Sequence, residues 1–245
     1  MKNGLMNLAI CISGGGTTMR EVLRACKDHR LQHINPALII SSDRAAGGIE
    51  KAKQEDVADE NIVTLVRKEF ENGGAYGEAI LKECAERHID LIAQCGFLPR
   101  MPSNVISAYR WNIFNQHPGP LDEGRLDFGG QGMYGRRVHE AVNYFAEHCY
   151  RPFRTEATVH RVTDIVDGGA LLGIRPVQIL REDDATTLAA RVLPYEHELV
   201  IETLLQFSEF GGPREIHRER PLIHEGEKAL LAEAKEAGIE AFPKG

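Results

Sequence analysis

The sequence contains no uninterrupted apolar run of about 18 residues, so it offers no candidate transmembrane helix. Its five cysteines, Cys11, Cys26, Cys84, Cys95 and Cys149, are odd in number and none forms a C-x-x-C pair. That pattern supports neither a zinc ribbon nor a disulfide framework, and a reducing compartment, the cytoplasm, is the expected setting. His139, His197 and His224 each precede a glutamate, but H-E-x-x-H is absent and a zincin is excluded; G-x-S-x-G is absent too, and with it a hydrolase serine. No metal is expected. Basic residues are in deficit: 29 Lys plus Arg against 36 acids give a formal charge of −7, which weighs against a nucleic-acid or anionic-membrane partner. Met1 to Asn7 lacks the apolar stretch of a signal peptide and reads as leading straight into a strand. Repeats, low-complexity segments and a convincing linker are also lacking.

What is present is an alternation of β-type runs and helical patterns. Asn7–Ile12, Ala37–Ile40, Ile62–Val66 and Asp90–Cys95 read as strands. Met19, Val22, Leu23 and Cys26 share one helix face, Gly47–Gln54 is a second helix, and Ala75, Ala79, Ile80 and Cys84 mark a third. Strand–helix–strand repetition with short turns implies βαβ units and a parallel sheet. Trp111–Phe114 reads as a fifth strand. Pro118 to Gly135 is a long glycine-rich loop, and a helix follows from about Tyr134 to Glu147. Glu156–Val162 and Ala170–Val177 read as strands joined through Asp167-Gly168-Gly169. A long helix carries Leu188, Val192, Tyr195 and Leu199 with Pro194 inside it, and Glu225–Ala237 reads as a terminal helix closed by Gly238.

Three segments could carry chemistry. Ser13-Gly14-Gly15-Gly16-Thr17-Thr18 lies between the first strand and the first helix. Glycines there permit close approach of a ligand, and a helix start offers N–H groups and a positive dipole end to a phosphate. Thr17 or Thr18 could cap the helix; no Gly-Lys-Ser/Thr follows, so it is not a P-loop. A merely tight strand–helix turn fits the same residues. Asn115-Gln116-His117-Pro118 follows the fifth strand, with an amide and an imidazole at i and i+2 on one side of an extended segment. That pair suits carbonyl addition, one group binding the oxyanion and the other supplying charge or a proton; a strand-end cap is the plain reading. Asp167 stands in a turn that is either a simple hairpin or a carboxylate holding His117 in orientation and protonated. His160 reads as packed rather than catalytic.

Taken together and in order, Ile12 to Thr17, Phe114-Asn115-Gln116-His117-Pro118 and Val159-His160-Arg161-Val162-Thr163 through Asp167-Gly168-Gly169 resemble the folate-dependent formyltransferases. Cys95-Gly96-Phe97-Leu98 and the Glu196-His197 pair agree with that family. The resemblance runs from residue 7 to about 206 and is closest to the branch acting on glycinamide ribonucleotide. It implies an open, mostly parallel twisted α/β sheet of about seven strands with helices on both faces and a Rossmann-like N-terminal half. It implies a single domain over 1–212, with a phosphate-binding half (1–100) and a catalytic half (101–212), and a charged tail with a short helix over 213–245.

The reaction it implies is transfer of a formyl group from 10-formyltetrahydrofolate, a co-substrate, to the primary amine of 5-phosphoribosylglycinamide in purine biosynthesis. Asn115, His117 and Asp167 match the catalytic trio. Gly15, Gly16, Thr17 and Thr18 match the phosphate cradle, and Glu196 an acceptor contact. Leu98, Pro99, Arg100 and Met101, with Asn115, match the folate side. The implied partners are small molecules alone, with neither nucleic acid nor membrane, for a monomer or homodimer. The loop after His117-Pro118 departs from the family pattern; over Leu121–Gly135 it reads as a mobile lid whose acids face solvent or a cationic part of the ligand. An amino-sugar-nucleotide formyltransferase and a non-catalytic binding relative are the alternatives. The branch acting on methionyl-tRNA is not expected, because the charged stretch after Pro213 is too short for its C-terminal barrel; nor is the hydrolase branch, because the sequence opens at its first strand. A dehydrogenase using Asp43 lacks the third glycine of the dinucleotide fingerprint.

Overall fold

A computed structural model describes residues 4–243. Seven strands form one sheet: β1 (Met6–Ile12), β2 (Ile34–Ser41), β3 (Ile62–Thr64), β4 (Leu91–Gln94), β5 (Ile113–His117), β6 (Thr155–Arg161) and β7 (Leu171–Val177). Their order is β3-β2-β1-β4-β5-β6-β7. Pairs β2–β3, β1–β2, β1–β4 and β4–β5 are parallel and β6–β7 is antiparallel. The helices are α1 (Thr17–Lys27), α2 (Gly47–Gln54), α3 (Gly73–Glu86), α4 (Ser103–Ala108), α5 (Arg136–His148), α6 (Ala185–Phe210) and α7 (Lys228–Ala241).

The chain divides into two compact units. The first is the chain up to Gln116 with Arg161–Asp164 and Val200–Pro213; the second is His117–His160, Ile165–Leu199 and the chain from Arg214 on. In the first, Ala9, Cys11, Leu38, Ile40 and Ile92 pack with Tyr76, Ile80 and Cys84 of α3 and Val105 of α4. Central parallel strands are covered on both faces, which is why they read as continuous apolar runs rather than alternating ones. In the second, Phe128, Phe145 and Phe153 form an aromatic cluster, with the Phe128 and Phe145 ring centroids 5.4 Å apart. β7 tolerates Pro176 because it is an edge strand, and part of that edge is covered where Ile216 N–H donates to the Leu171 carbonyl.

The elements depart from their sequence reading in four places. β5 does not end at Phe114; it runs on to His117, paired with β4 as far as Asn115 and flanked by β6 on its other edge. Backbone pairing thus carries the strand past its apolar run. α4 was not expected. Gly238 does not close α7; it is buried inside the helix, where an added Cβ would lie 2.4 Å from the Arg137 carbonyl oxygen of α5. Its role is close helix contact, not termination.

The fourth departure is the 121–135 loop, which is built in rather than mobile and is stabilised by the C-terminal segment. Leu121, Asp122 and Phe128 are buried. Asp122 accepts hydrogen bonds from the N–H groups of Arg125 and Leu222

, the first at its carbonyl and the second at its carboxylate (2.8 Å). Arg218 donates to the Leu121 carbonyl (2.8 Å). The side chain of Asp127 turns back on its own loop, accepting from the N–H groups of Asp122 and Gly129. The acids Asp122 and Asp127 therefore do not face solvent as their charge suggested: each is drawn in by unpaired backbone N–H groups that a turn without regular structure leaves to be satisfied. Glu123 is exposed as expected.

Candidate active site

The second unit gathers a buried set of titratable groups. His117 is the last residue of β5 and 3% exposed. Its position is held from behind by Thr158 of β6, whose hydroxyl donates to the Gly119 carbonyl (2.9 Å). Asp167 lies in the turn between β6 and β7 with φ 54°, the left-handed region that Asp enters more readily than most residues. The turn is closed by a hydrogen bond from Gly168 N–H to the Ile165 carbonyl. A Cβ on Gly168 would meet Ile165 Cγ2 at 2.6 Å, so only glycine fits there.

That turn brings Asp167 Oδ2 to 3.7 Å from His117 Nδ1 and Asp167 Oδ1 to 3.4 Å from His160 Nε2. Gly130 N–H donates to Oδ2 (2.9 Å). Burial works against the Asp167 carboxylate, but the facing rings of His117 and His160 and the Gly130 N–H outweigh it and hold its pKa down at about 2. His160, which reads as a packed strand residue, is thus a direct partner of the carboxylate. Only the pairing of β6 with β7 and the turn between them reveal it.

For His117 the balance goes the other way. Burial lowers its pKa by more than Asp167, Asp127 and the Phe128 carbonyl raise it. Asp167 supports a charge on this ring, as expected, but loss of hydration outweighs one carboxylate at 3.7 Å. The Phe128 carbonyl accepts a hydrogen bond from the ring. Nε2 is buried with no partner among the described residues, so the donor is Nδ1. A neutral imidazole protonated on Nδ1 presents a bare lone pair at Nε2. Gly119 keeps that nitrogen open: a Cβ at this position would stand 3.5 Å from Nε2 and 2.3 Å from Val138 Cγ1. Asn115 precedes His117 by two residues on β5, so the pleat sends both side chains to the same side.

The first unit holds the glycine-rich turn. Gly16 occupies the N-cap of α1 with φ 62° and no side chain caps the helix, so neither Thr17 nor Thr18 serves as the cap. They are instead the first two helical residues; Thr18 is buried and Thr17 half-buried. The first-turn N–H groups are the ones a helix leaves without intrahelical acceptors. α2 packs directly behind the turn: Gly48 N–H donates to the Gly14 carbonyl (2.9 Å), and a Cβ on Gly16 would lie 2.6 Å from Gly48 Cα. Lys51, on the next turn of α2, donates to the Gly15 carbonyl (2.6 Å) and sets an ammonium beside the loop. Its sequence distance from Gly15 hid it.

The 98–101 segment is mixed. Leu98 exposes its side chain, while its N–H is already engaged by Ser13 Oγ (2.8 Å). Pro99 is half-buried and Arg100 exposed, the latter donating to the Asp164 carbonyl. Met101 is a core residue, so its side chain faces the strands and not a ligand. Glu196 is buried on α6, two residues after Pro194. Asp43 accepts the N–H of Ala45 (2.8 Å), so its carboxylate caps its own turn. No group of three or more His, Cys, Asp or Glu able to hold a metal occurs among the described residues. No helix there is long and apolar enough to cross a membrane.

The second unit thus carries a strand-end imidazole with a buried nitrogen that has no partner among the described residues, and a carboxylate across the ring. The chain belongs to the formyl transferase family, whose model matches residues 6–204. It is 30% identical over 197 residues to the chloroplastic phosphoribosylglycinamide formyltransferase of Vigna unguiculata, covering 80% of this chain and 59% of that protein. The chain thus spans less than two thirds of that relative's length. It is 27% identical over 194 residues to phosphoribosylglycinamide formyltransferase of Escherichia coli (strain K12), covering 79% of this chain and 83% of that one. Among solved structures, glycinamide ribonucleotide transformylase 1 from Geobacillus kaustophilus superposes with a TM-score of 0.71 at 27% identity. That match covers 83% of this chain and 99% of the other.

Proposed function

We propose that this formyltransferase moves the formyl group of 10-formyltetrahydrofolate onto the primary amine of 5-phosphoribosylglycinamide, a step of de novo purine biosynthesis. The observation that carries the chemistry is His117 Nε2, buried and unpartnered beside an ionised Asp167. The names of the relatives support phosphoribosylglycinamide as acceptor and a formyl group as what is moved; the folate donor is what the family resemblance implies.

The acceptor's free amine attacks the formyl carbon, and the carbonyl electron pair moves to oxygen. The Asn115 amide donates to that developing alkoxide. The nitrogen of the former amine, now positive, gives up a proton to Nε2 of neutral His117. The resulting imidazolium is stabilised by Asp167 and faces the alkoxide. As the tetrahedral centre collapses, the carbon–nitrogen bond to the folate breaks, and N10 takes the proton from Nε2. His117 returns to its neutral Nδ1–H form, and no external oxidant or metal enters the balance.

Gly15, Gly16, Thr17 and Thr18 hold the acceptor's phosphate through the free first-turn N–H groups of α1, with Lys51 adding charge. Glu196 contacts the acceptor. The backbone of Leu98, Pro99, Arg100 and Met101, together with Asn115, borders the folate, and the β1–β4 half serves as a Rossmann-like platform. The protein works in the cytoplasm as a monomer or homodimer on small molecules, without nucleic acid.

The test is an acceptor screen. With 10-formyltetrahydrofolate, folate release is expected with phosphoribosylglycinamide and not with amino-sugar nucleotides or water. His117→Ala is expected to lose on the order of 10²-fold or more in turnover, as removal of one oxyanion or proton-transfer group does. Turnover with an amino sugar and none with phosphoribosylglycinamide would discard the acceptor assignment.

A further inference from the structure

The C-terminal helix α7 lies beyond the stretch that matches the family, residues 6–204, yet it sends one charged side chain into the cluster around Asp167. Lys235 is half-buried, and its Nζ donates to the Gly129 carbonyl (2.7 Å). The Gly129 carbonyl and the Gly130 N–H belong to one peptide group. That N–H donates to Asp167 Oδ2 at 2.9 Å. The same carboxylate oxygen faces His117 Nδ1. An ammonium on one end of the peptide and a carboxylate on the other polarise it in the same sense, which strengthens both hydrogen bonds.

The surroundings are shaped for this peptide plane. Gly130 has φ 98°, a conformation that favours glycine. A Cβ on Gly129 would meet Leu121 Cδ2 at 2.5 Å and Asp167 Cβ at 2.8 Å. The Gly129 N–H is tied to Asp127 Oδ1 (2.8 Å). The peptide is therefore flanked by Asp127 on one side, Asp167 on the other and Lys235 above its oxygen. Burial lowers the pKa of the Lys235 ammonium while Asp127 and Asp167 support its charge.

We propose that Lys235 is a positioning residue for the formyl transfer: through the Gly129–Gly130 peptide it aims an N–H at Asp167 and so holds the carboxylate in register with His117. The inference rests on the proposed function for its kinetic consequence, but not for its structural one. It assigns to the C-terminal segment a part in the catalytic unit, where the sequence suggested only a charged tail.

The groups facing Asp167 are His117 from β5, His160 from β6, the Gly130 N–H from the loop and Lys235 from α7, with Asp127 nearby. Lys235→Met removes the cation and the donor together. Two readouts apply. In ¹⁵N-labelled protein, the Gly130 amide proton is expected to move upfield and to exchange at least several-fold faster, because its acceptor is no longer held in line. In steady state, kcat is expected to fall about tenfold or more with both KM values within about twofold, and the acid limb of the kcat profile to move to higher pH as the Asp167 carboxylate loses support. Lys235→Arg is expected to restore most of kcat. Should Lys235→Met fail to fold, Lys235→Gln, a shorter neutral donor, carries the same two readouts with the same expected direction. An unchanged Gly130 amide together with unchanged kcat in the folded variant would overturn the proposal. So would a loss confined to thermal stability with no change in the kcat profile, since that is what a purely structural tie would produce. If the wild-type protein does not formylate phosphoribosylglycinamide, the functional reading fails, and the Gly130 amide still decides the role of Lys235.

Discussion

His139 lies on α5, 3% exposed, and its Nδ1 has no partner among the described residues. Burial lowers its pKa from 6.5 to about 4, and a proton on His117 would push the same way. The folded state therefore resists a proton that the unfolded chain accepts. The stability this neutral ring contributes is complete above the unfolded value and is lost as pH falls from about 6.5 toward 4. The depressed carboxylates act lower: the stability that Asp167 and Glu227 contribute is lost as pH falls through their ordinary values, 3.8 and 4.5, toward about 2. Urea unfolding midpoints at about pH 7 and about pH 4.5 should thus differ by up to ~3 kcal/mol in unfolding free energy. His139→Gln is expected to reduce that difference, leaving the slope that His117 contributes in the same direction. An undiminished slope in that variant would remove His139 from the account. The same residue scale shows where reading a sequence is strong and where it stops. Asn115 and His117 were visible because strand pleating alone puts i and i+2 on one side. The pairing of His160 with Asp167 was not, because it needs the β6–β7 turn to fold back.

The β1–α1 connection is the element on which the proposed binding of the acceptor rests. Its glycines are not interchangeable: Gly16 combines a left-handed φ of 62° with a backbone contact to Gly48 that leaves no room for a Cβ. A β-branched residue there would carry about 1–3 kcal/mol of backbone strain and would push α2, with Lys51, away from the turn. Gly16→Val is expected to raise the acceptor's Kd at least about tenfold while changing the folate's by less than about twofold, measured by titration calorimetry of the folded variant. Equal losses for both ligands would show that this turn does not hold the acceptor's phosphate. α1 was legible because its apolar face, Met19, Val22, Leu23 and Cys26, repeats at helical spacing. The cap was not, because Gly16 rather than a threonine ends the strand turn, a choice made by the close packing of α2.

At the scale of the whole molecule, the chain from Arg214 on belongs to the second compact unit. It buries Ile223, Leu231 and Ala234, presses Gly238 against the backbone of α5, and pairs Arg151 with Glu227 (2.7 Å) and Arg218 with Glu156. Burial of the Leu and Ile side chains alone is worth roughly 1.5–3 kcal/mol each. Ending the chain after Pro213 is therefore expected to lower the unfolding free energy by more than ~4 kcal/mol or to abolish cooperative unfolding of the second unit. Denaturant melts followed by circular dichroism would report it. A truncated chain that melts like the parent would return the segment to the status of a dispensable tail.

The sequence by itself determined the parallel βαβ order and the covered strands of the first unit, because local periodicity needs no knowledge of distant contacts. It also exposed the glycine-rich loop, but not that loop's state. Its composition reads as mobile because flexibility is a property of isolated glycine-rich chain, whereas order here comes from partners about a hundred residues away, Leu222 on Asp122 and Lys235 on Gly129. The charge of His117 was likewise decided only by the tertiary structure. A neighbouring carboxylate can be guessed from a motif, but the loss of hydration that outweighs it depends on how much of the molecule closes around the ring.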